Sequence, residues 1–319
     1  MATPSTPGAA KVADLLGKFA AGEPVAAPPA APAAPATPVV KPAASPVKAY
    51  LRPNGESYFP RIVNAEDGTH DVALLHKARG ATLGENLYVL FYGEPGTGKT
   101  ACVDAAFPDM LSLSGDADTT TDDFLGSWVQ NPDGTYEWVD GPLVTAMENG
   151  LPLFIDEIAL IDTGVMSVVY SAIDGRAEVR IKANPSRGVV KAKDGFYVVG
   201  ACNPHAPGAK MSEALMSRFS IQVEATTDFD LAKKIGVPAK AVTVAKNLDT
   251  KRTNGEVAWA PQMRELLAFK RTADRFSVGM AVANLIGVAP EDDRPIVADV
   301  VSRAFGAAVA NLRQGIAAS

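Results

Sequence analysis

The chain has 319 residues, of which 47% are hydrophobic and 21% charged, and its net charge is −6. This length allows one large α/β core and a smaller second domain, because single cores usually stop growing at roughly 250 to 300 residues. The acidic net charge argues against a protein whose whole surface binds nucleic acid, since such proteins are normally basic.

The N-terminal segment consists mainly of Ala and Pro and has almost no large apolar side chains. Such a segment buries too little surface to offset the entropy of ordering, so residues 1–49 are predicted to form a disordered tail. Within the tail, Lys11 to Ala20 has four large apolar residues at helical spacing. This stretch is either an idle, partly helical part of the tail or a short amphipathic helix that docks on a partner.

Alternating strand and helix patterns indicate that residues 50–227 form an α/β domain. An apolar strand from Leu87 to Tyr92 is followed by a glycine-rich loop and a helix from Lys99 to Phe107. Asp162 is a good N-cap for a second helix that ends near Ile173. Further buried strands are predicted at Leu111 to Leu113, Pro152 to Ile155 and Phe196 to Ala201. This order predicts a doubly wound parallel sheet that binds its ligand at the carboxyl ends of the strands.

After about Asp228 the strand patterns fade and helical patterns take their place. Residues 228–319 are therefore predicted to form a small all-helical domain. Its helices are expected at Leu231 to Ile235, Gln262 to Arg275, Ser277 to Ile286 and Pro295 to Leu312.

The loop after the first strand fits the phosphate-binding pattern GxxxxGK followed by Ser or Thr. Such a loop wraps backbone N–H groups around phosphates, while Lys99 reaches the β and γ phosphates and Thr100 binds Mg²⁺. The alternative is a Gly-Pro turn before an ordinary basic helix, but the required strand and helix flank the loop. The predicted ATP-binding residues here are Gly93, Glu94, Pro95, Gly96, Thr97, Gly98, Lys99, Thr100 and Ala101.

Two further strands end in polar residues at the same edge of the predicted sheet. Asp156 and Glu157 follow the strand at Pro152 to Ile155; Asp156 is predicted to hold the metal and Glu157 to orient the attacking water. Asn203 follows the strand at Phe196 to Ala201 and suits a hydrogen bond to the γ-phosphate or to that water. The alternative is that Asn203 caps the turn before Pro204.

Together these features resemble an AAA+ module. The resemblance extends to the segment Ala214-Leu215-Met216-Ser217-Arg218-Phe219. Leu125-Gly126, Gly141-Pro142-Leu143-Val144 and Glu213 to Phe219 resemble the MoxR and dynein-related branch, including CbbQ-type activators, and the likeness covers roughly Gly55 to Arg275.

The resemblance implies an ATP-hydrolysing ring, expected to be hexameric, that remodels or activates a protein partner, often through a von Willebrand A-type adaptor. It also implies that Arg218 reaches into the neighbouring subunit's site, where it neutralises charge on the transferred phosphoryl group. Without the resemblance, Arg218 would be an ordinary surface ion-pair residue. Arg264 stands where the second sensor arginine is expected, with Arg271 and Arg275 as nearby competitors.

Two predicted hairpins stand out as candidate partner-binding surfaces. The first, Trp128 to Val139, carries aromatic residues that either contact a substrate or form a small local core. The second, residues 176–193, carries six basic residues opposed only by Glu178. Its charge suits nucleic-acid phosphates or an acidic protein, and the alternative is ordinary solvated charge.

The remaining chemistry-bearing residues are sparse. Cys102 and Cys202 form no CxxC pair, no His or Cys pair has metal-ligand spacing, and no apolar run reaches about 18 residues. We therefore expect a cytoplasmic protein with no metal besides nucleotide-bound Mg²⁺. The leading function is an ATP-driven motor acting on protein. A nucleic-acid motor or loader, or a nucleotide-clamped scaffold with little turnover, is the alternative.

Overall fold

The computed structural model describes residues 48–306 and 310–313. The predicted tail, including Lys11 to Ala20, therefore lies outside the described residues except for Lys48 and Ala49. The described chain begins with two small hairpins and a helix. These elements are β1 Tyr50–Leu51, β2 Ser57–Tyr58, β3 Ile62–Asn64, β4 Thr69–His70 and α1 Asp71–Ala78.

The next part of the chain alternates strands and helices as the sequence predicts, with two hairpins inserted. Its first half comprises β5 Val89–Tyr92, α2 Lys99–Ala106, β6 Leu111–Ser114, α3 Thr121–Leu125, β7 Gly126–Gln130, β8 Tyr136–Asp140, α4 Pro142–Asn149 and β9 Pro152–Asp156. Its second half comprises α5 Thr163–Ile173, β10 Glu178–Arg180, β11 Val189–Lys191, β12 Tyr197–Cys202, α6 Glu213–Arg218 and β13 Ile221–Glu224.

The remaining described elements are helices. They are α7 Phe229–Lys234, α8 Ala239–Thr253, α9 Met263–Arg275, α10 Val278–Val288 and α11 Arg294–Phe305. They pack around a hydrophobic cluster of their own, separate from the cluster that surrounds the sheet. In the described ranges, no helix is both long enough and apolar enough to span a membrane.

The core is a five-stranded parallel sheet with the strand order β13-β5-β12-β9-β6. All six residues of the central strand β12 are buried, as expected for a strand covered by helices on both faces. At Gly200 in β12 the packing is tight, because an added Cβ would lie 3.0 Å from the Leu90 side chain and 3.2 Å from the Phe219 ring, and both would have to shift to admit it. Since the strands are parallel, the loops after β5, β9, β12 and β13 all emerge at one edge.

Several local predictions are confirmed. The Asp162 carboxylate accepts a hydrogen bond from the Gly164 N–H at the start of α5. Both predicted hairpins form, as β7–β8 and β10–β11.

Other local predictions were incomplete or wrong. The predicted helix to Leu312 ends at Phe305, because Gly306 adopts a left-handed conformation that stops it. Helix α8, the longest in the lid, was missed because its buried face consists of small and β-branched residues such as Ala241 and Val244. Strand β13 was also missed, since its alternating residues carry no long apolar run.

Candidate active site

The loop of residues 93–100, here called the P-loop, connects β5 to α2. Gly93, Gly96 and Gly98 all have positive φ angles, of 143°, 83° and 89°, which other residues rarely adopt. At Gly93 an added Cβ would lie 2.5 Å from the Ala225 carbonyl oxygen, just after β13. The glycines therefore let the loop fold tightly against the end of the sheet and start α2 directly at Lys99.

Lys99 is held inside the P-loop. Its Nζ donates hydrogen bonds to the carbonyl oxygens of Gly93 at 2.8 Å and Glu94 at 3.1 Å, and the residue is only 6% exposed. Burial lowers the pKa of Lys99 from its ordinary value of 10.5, and the carboxylates of Glu157 and Asp156 oppose this shift. An anion that enters the loop would relieve the cost of burying this charge, because it is an additional partner of opposite sign.

Thr100 and Asp156 meet at the mouth of the loop. The Thr100 hydroxyl donates to Asp156 Oδ2 at 3.0 Å, joining the start of α2 to the end of β9. A hydroxyl beside a carboxylate presents the oxygen ligands that Mg²⁺ takes next to substrate phosphates. These residues therefore fit a nucleotide-bound Mg²⁺, although the described chain has no cluster of three His, Cys, Asp or Glu residues that would hold a metal by itself.

Glu157 has a strained backbone. Its φ of 50° lies in the left-handed region, which costs a non-glycine residue of order 1 kcal/mol or more and is frequent at functional sites. Its N–H donates to Asp156 Oδ1 at 3.0 Å, and its Oε2 accepts from the Asn203 N–H at 3.3 Å. The turn therefore separates the two neighbouring carboxylates and directs Glu157 toward β12.

The Asn203 side chain caps the turn that follows β12. Its Oδ1 accepts a hydrogen bond from the His205 N–H at 3.1 Å, so the turn-capping interpretation is confirmed. This bond leaves the amide nitrogen as a donor at the same sheet edge as Glu157. Capping and a contact to phosphate or water are therefore compatible, because they use different atoms of the amide.

A cavity of 350 Å³ opens beside the P-loop, between the sheet domain and the lid. Its phosphate end is formed by residues 95–101 with Asp156 and Glu157. Its other end is lined by Tyr58 and Phe59 from the N-terminal hairpin, by Leu231 and Ile235 from the α7 region, and by Met263 and Leu267 from α9. The lining around the P-loop is therefore rich in polar groups, and the remaining lining combines these apolar side chains with charged ones such as Arg52, Glu56 and Arg271, a mixture that suits a nucleotide.

Arg264 lines this cavity from the start of α9, and its backbone N–H donates to the Gly96 carbonyl oxygen at 3.0 Å. Its competitor Arg271 also lines the cavity but pairs with Glu56 at 3.3 Å. Arg264 is therefore tied to the P-loop through its backbone, and Arg271 to the N-terminal hairpin through its side chain.

Arg218 is not among the described residues that line the cavity. The side chain is exposed at the end of α6, where its guanidinium lies 4.5 Å from the centre of the Tyr170 ring and donates to the Ala214 carbonyl oxygen. An exposed arginine held outside its own site is available to a neighbouring molecule. The stacking on Tyr170 restricts the guanidinium without neutralising its charge.

Sequence reasoning missed the segment Ser57 to Arg61, which forms one wall of the cavity. Arg61 donates to the Thr97 carbonyl oxygen at 2.7 Å, from a position far from the P-loop in sequence. No motif surrounds these residues. The only sequence signal is a short run of aromatic residues, Pro and Arg ahead of the first helix.

The β10–β11 hairpin carries less free positive charge than the sequence indicated. Arg187 forms ion pairs with Asp140 at 2.6 Å and Glu148 at 2.7 Å, both from outside the hairpin. The prediction that Glu178 alone opposes the basic residues is therefore wrong, because the fold brings two more acids to the turn. Glu178 itself lies 4.0 Å from Lys191.

The β7–β8 hairpin combines a packed and an exposed part. Trp138 is half-buried against the core, and its ring meets the ring of Trp128 edge to face at 5.7 Å. Trp128 is 50% exposed and Tyr136 is 63% exposed. The local-core interpretation therefore holds for Trp138, while contact of the exposed Trp128 and Tyr136 rings with a substrate stays a prediction.

Acid is expected to loosen this hairpin. Burial works against the charge on Asp140, but hydrogen bonds from Arg187 and Trp138 outweigh it and lower the pKa of the carboxyl from 3.8. Because the pKa of Asp140 is lower in the folded protein than in the unfolded chain, its carboxylate stabilises the fold at pH values above the unfolded-chain pKa. This stabilisation is lost as the pH falls through the pKa of the folded state. Tryptophan fluorescence should therefore change below about pH 4. Asp140→Asn should lack that step, and a persistent step would contradict the assignment.

Comparison with known proteins gives a family match for part of the chain. Residues 88–219 match the AAA domain of the dynein-related subfamily. An uncharacterised protein of Staphylococcus aureus strain USA300 is 32% identical over 160 residues, which cover 47% of this chain and 60% of that protein. The uncharacterised protein YojN of Bacillus subtilis strain 168 is 29% identical over 208 residues, covering 59% of this chain and 67% of YojN.

The match to the staphylococcal protein therefore spans less than two thirds of that relative's length. Among solved structures, a protein from Cytophaga hutchinsonii superposes with a TM-score of 0.40 and 15% identity, covering 74% of this chain and 84% of that chain.

Proposed function

Because residues 88–219 match the AAA domain of the dynein-related subfamily and the chain has the α/β P-loop AAA+ fold with a helical lid, we propose that it is an ATP-hydrolysing ring motor. The observation that carries the proposal is the contact of Thr100 with Asp156 beside Glu157, at the phosphate end of one cavity. A metal ligand pair and a separate carboxylate are the groups needed to activate water against a bound phosphoryl group.

In this proposal the P-loop and Ala101 bind the phosphates, and Lys99 turns from its loop carbonyls to the β and γ phosphates. Mg²⁺, when bound with ATP, neutralises charge on the phosphate oxygens and is held by Thr100 and Asp156. Glu157 orients and polarises the attacking water, and the Asn203 amide holds that water or the γ-phosphate. Arg264 contacts the nucleotide from the lid.

An adenine base is favoured by the apolar end of the cavity. Phe59 lies there, and its backbone N–H and C=O form no hydrogen bond with any described residue. One donor and one acceptor on the same residue can pair with the edge of a purine base. We propose ATP as the nucleotide because the resemblance to AAA+ modules implies it and because the sequence contains no NKxD segment of the kind that binds guanine.

We further propose that the chain assembles into a ring in which Arg218 serves the adjoining subunit's site, and that this ring acts on a protein. An arginine that acts in the neighbouring subunit's site requires a head-to-tail interface, and such interfaces form a ring when they close on themselves. A hexamer and a von Willebrand A-type adaptor are the forms that the MoxR-like resemblance suggests. The exposed Trp128 and Tyr136 supply aromatic contact area for a protein partner.

The nucleic-acid alternative is weaker, because Arg187 is already paired with two acids and Lys191 lies near Glu178. The two alternatives differ in their dependence on salt. Binding through phosphates would fall steeply between low and moderate salt, whereas aromatic contacts to protein would not.

The first test is steady-state ATP hydrolysis measured over a range of protein concentrations, with light scattering to follow assembly. Turnover per subunit is expected to rise with assembly. Lys99→Ala is expected to lose ATP binding and turnover together, because the buried ammonium is the main cation of the loop. Assembled wild-type protein that binds ATP without turnover above Lys99→Ala would favour the scaffold alternative.

A further inference from the structure

A largely buried cluster of ionisable groups lies beside the P-loop, and the proposed function gives its polar atoms no role, although two of its members also line the cavity. Its members are Tyr58, Arg61 and Asp71. Asp71 is 2% exposed and accepts hydrogen bonds from the Tyr58 hydroxyl, from the Arg61 N–H at 3.1 Å and from the Val72 N–H at 2.8 Å. The Arg61 Nε lies 3.5 Å from the same carboxylate. Asp71 therefore holds Arg61 by both its backbone and its side chain.

The Arg61 guanidinium joins two parts of the backbone that are far apart in sequence. Its Nη1 donates to the Thr97 carbonyl oxygen in the P-loop at 2.7 Å and to the Thr226 carbonyl oxygen at 3.1 Å. Thr226 lies just after β13, where the chain leaves the sheet for the lid. Arg61 thus links the phosphate-binding loop directly to the connection between the two halves of the molecule.

The same connection is bonded to the start of lid helix α9. The Thr227 hydroxyl donates to Gln262 Oε1 at 2.6 Å and accepts from the Met263 N–H at 3.2 Å. Hydrogen bonds therefore lead from the P-loop through Arg61 to Thr226, and from its chain neighbour Thr227 to the lid. Although burial works against the charge, Tyr58 and Asp71 raise the pKa of Arg61, so the guanidinium remains a charged donor.

The contact with Thr97 fixes the direction of a phosphate-binding N–H. In a planar trans peptide unit the C=O and N–H point in opposite directions, so holding the Thr97 oxygen turns the Gly98 N–H away from Arg61. The preceding unit is held in the same way, because the Arg264 N–H donates to the Gly96 oxygen at 3.0 Å. Successive N–H groups fixed in this manner form the concave site that binds phosphate.

We propose that Arg61 is a positioning residue that preorganises the P-loop for nucleotide phosphates and couples the conformation of the loop to the lid. The inference rests on the proposed ATPase function and adds to it a residue outside every motif of the site. Loss of the contact would free the Thr97–Gly98 peptide unit to rotate. Binding of polyphosphate would then weaken, while the apolar end of the cavity would remain intact.

The test measures ADP and adenosine affinity by displacement of a fluorescent ADP analogue from the full chain, with thermal unfolding measured in parallel. Arg61→Lys keeps the charge, but its single ammonium cannot reproduce the planar fork that bonds both carbonyls and Tyr58. It is expected to weaken ADP binding about tenfold, as for one lost charge-assisted hydrogen bond, with adenosine affinity unchanged. In steady state KM for ATP should rise more than kcat falls.

Tyr58→Phe provides a milder second variant, because it removes only the hydroxyl that donates to Asp71 and accepts from Arg61 Nε at 3.3 Å. A weakening of ADP binding by about threefold is expected. Arg294→Lys is the matched control. Arg294 also donates to two backbone carbonyls, those of Ala289 and Gly287, but it lies within the lid.

The outcomes separate this inference from the function on which it rests. Wild-type protein that binds no ADP would overturn the proposed function. If wild type binds ADP and Arg61→Lys binds it equally well, the inference fails and the ATPase proposal stands. Equal weakening of ADP and adenosine would mean a merely structural role. Should Arg61→Lys fail to fold, unchanged ADP affinity in Tyr58→Phe would overturn the inference.

Discussion

Glu157→Gln is expected to abolish ATP hydrolysis while ATP binding persists. The substitution keeps the size of the side chain and its acceptor for the Asn203 N–H, but it removes the carboxylate that polarises water. A positioned base of this kind contributes about 10²- to 10⁴-fold to a rate, so turnover should fall by at least about 100-fold. Phosphate release and equilibrium binding of ATP measure the two properties separately.

Two comparisons make the result specific to the Glu157 carboxylate. Glu66→Gln, at an exposed turn that does not line the cavity, should leave the rate unchanged. Asp156→Asn should reduce the Mg²⁺ dependence of binding as well as turnover, because Asp156 belongs to the proposed metal ligands. A Glu157→Gln protein that hydrolyses ATP at the wild-type rate would show that another group activates the water.

The strain at Glu157 is part of the same argument. Because of its left-handed backbone, Asp156 remains beside Thr100 while the Glu157 side chain points toward the end of β12. In a continued extended strand the two adjacent side chains would point to opposite faces of the sheet. The conformation costs free energy of folding, and the hydrogen bonds of Glu157 with Asp156 and Asn203 offset part of that cost. The arrangement therefore places two acids of different role on consecutive positions.

The parts of the site that could be predicted from sequence are those formed by short contiguous segments. The P-loop and the pair Asp156 and Glu157 each combine an apolar strand with the residues that follow it, so their local pattern also determines their place at the sheet edge. Arg61 shows what this reasoning misses. Its partners Thr97 and Thr226 are backbone oxygens, which leave no trace in the amino-acid sequence.

Errors in the fold prediction have similar physical causes. Helix α8 buries Ala241, Val244 and Leu248 under the other lid helices. This narrow stripe of mostly small side chains gives only a weak apolar pattern in the sequence. The charge of the β10–β11 hairpin was misjudged because Asp140 and Glu148 reach Arg187 through tertiary packing. The net charge of a surface thus depends also on residues that are distant in sequence and close only in the folded protein.

Arg218→Ala is expected to lower turnover by about 10³-fold or more without loss of ATP binding, if the arginine serves the neighbouring site. In its own subunit the guanidinium is exposed and rests on Tyr170, so its removal should leave the fold and the cavity unchanged. A purely structural surface arginine would produce no such effect. The measurement is ATP turnover at protein concentrations where light scattering shows assembly.

Mixing Arg218→Ala with Glu157→Gln subunits distinguishes action in the neighbouring site from action in the same site. Each variant alone is inactive, but an interface that joins the intact Glu157 of one to the intact Arg218 of the other has a complete site. With random equimolar mixing about a quarter of the interfaces of a closed ring are complete, so about a quarter of wild-type turnover should return. If no activity returns although mixed assemblies form, Arg218 does not act across the interface, and the ring loses its proposed catalytic purpose.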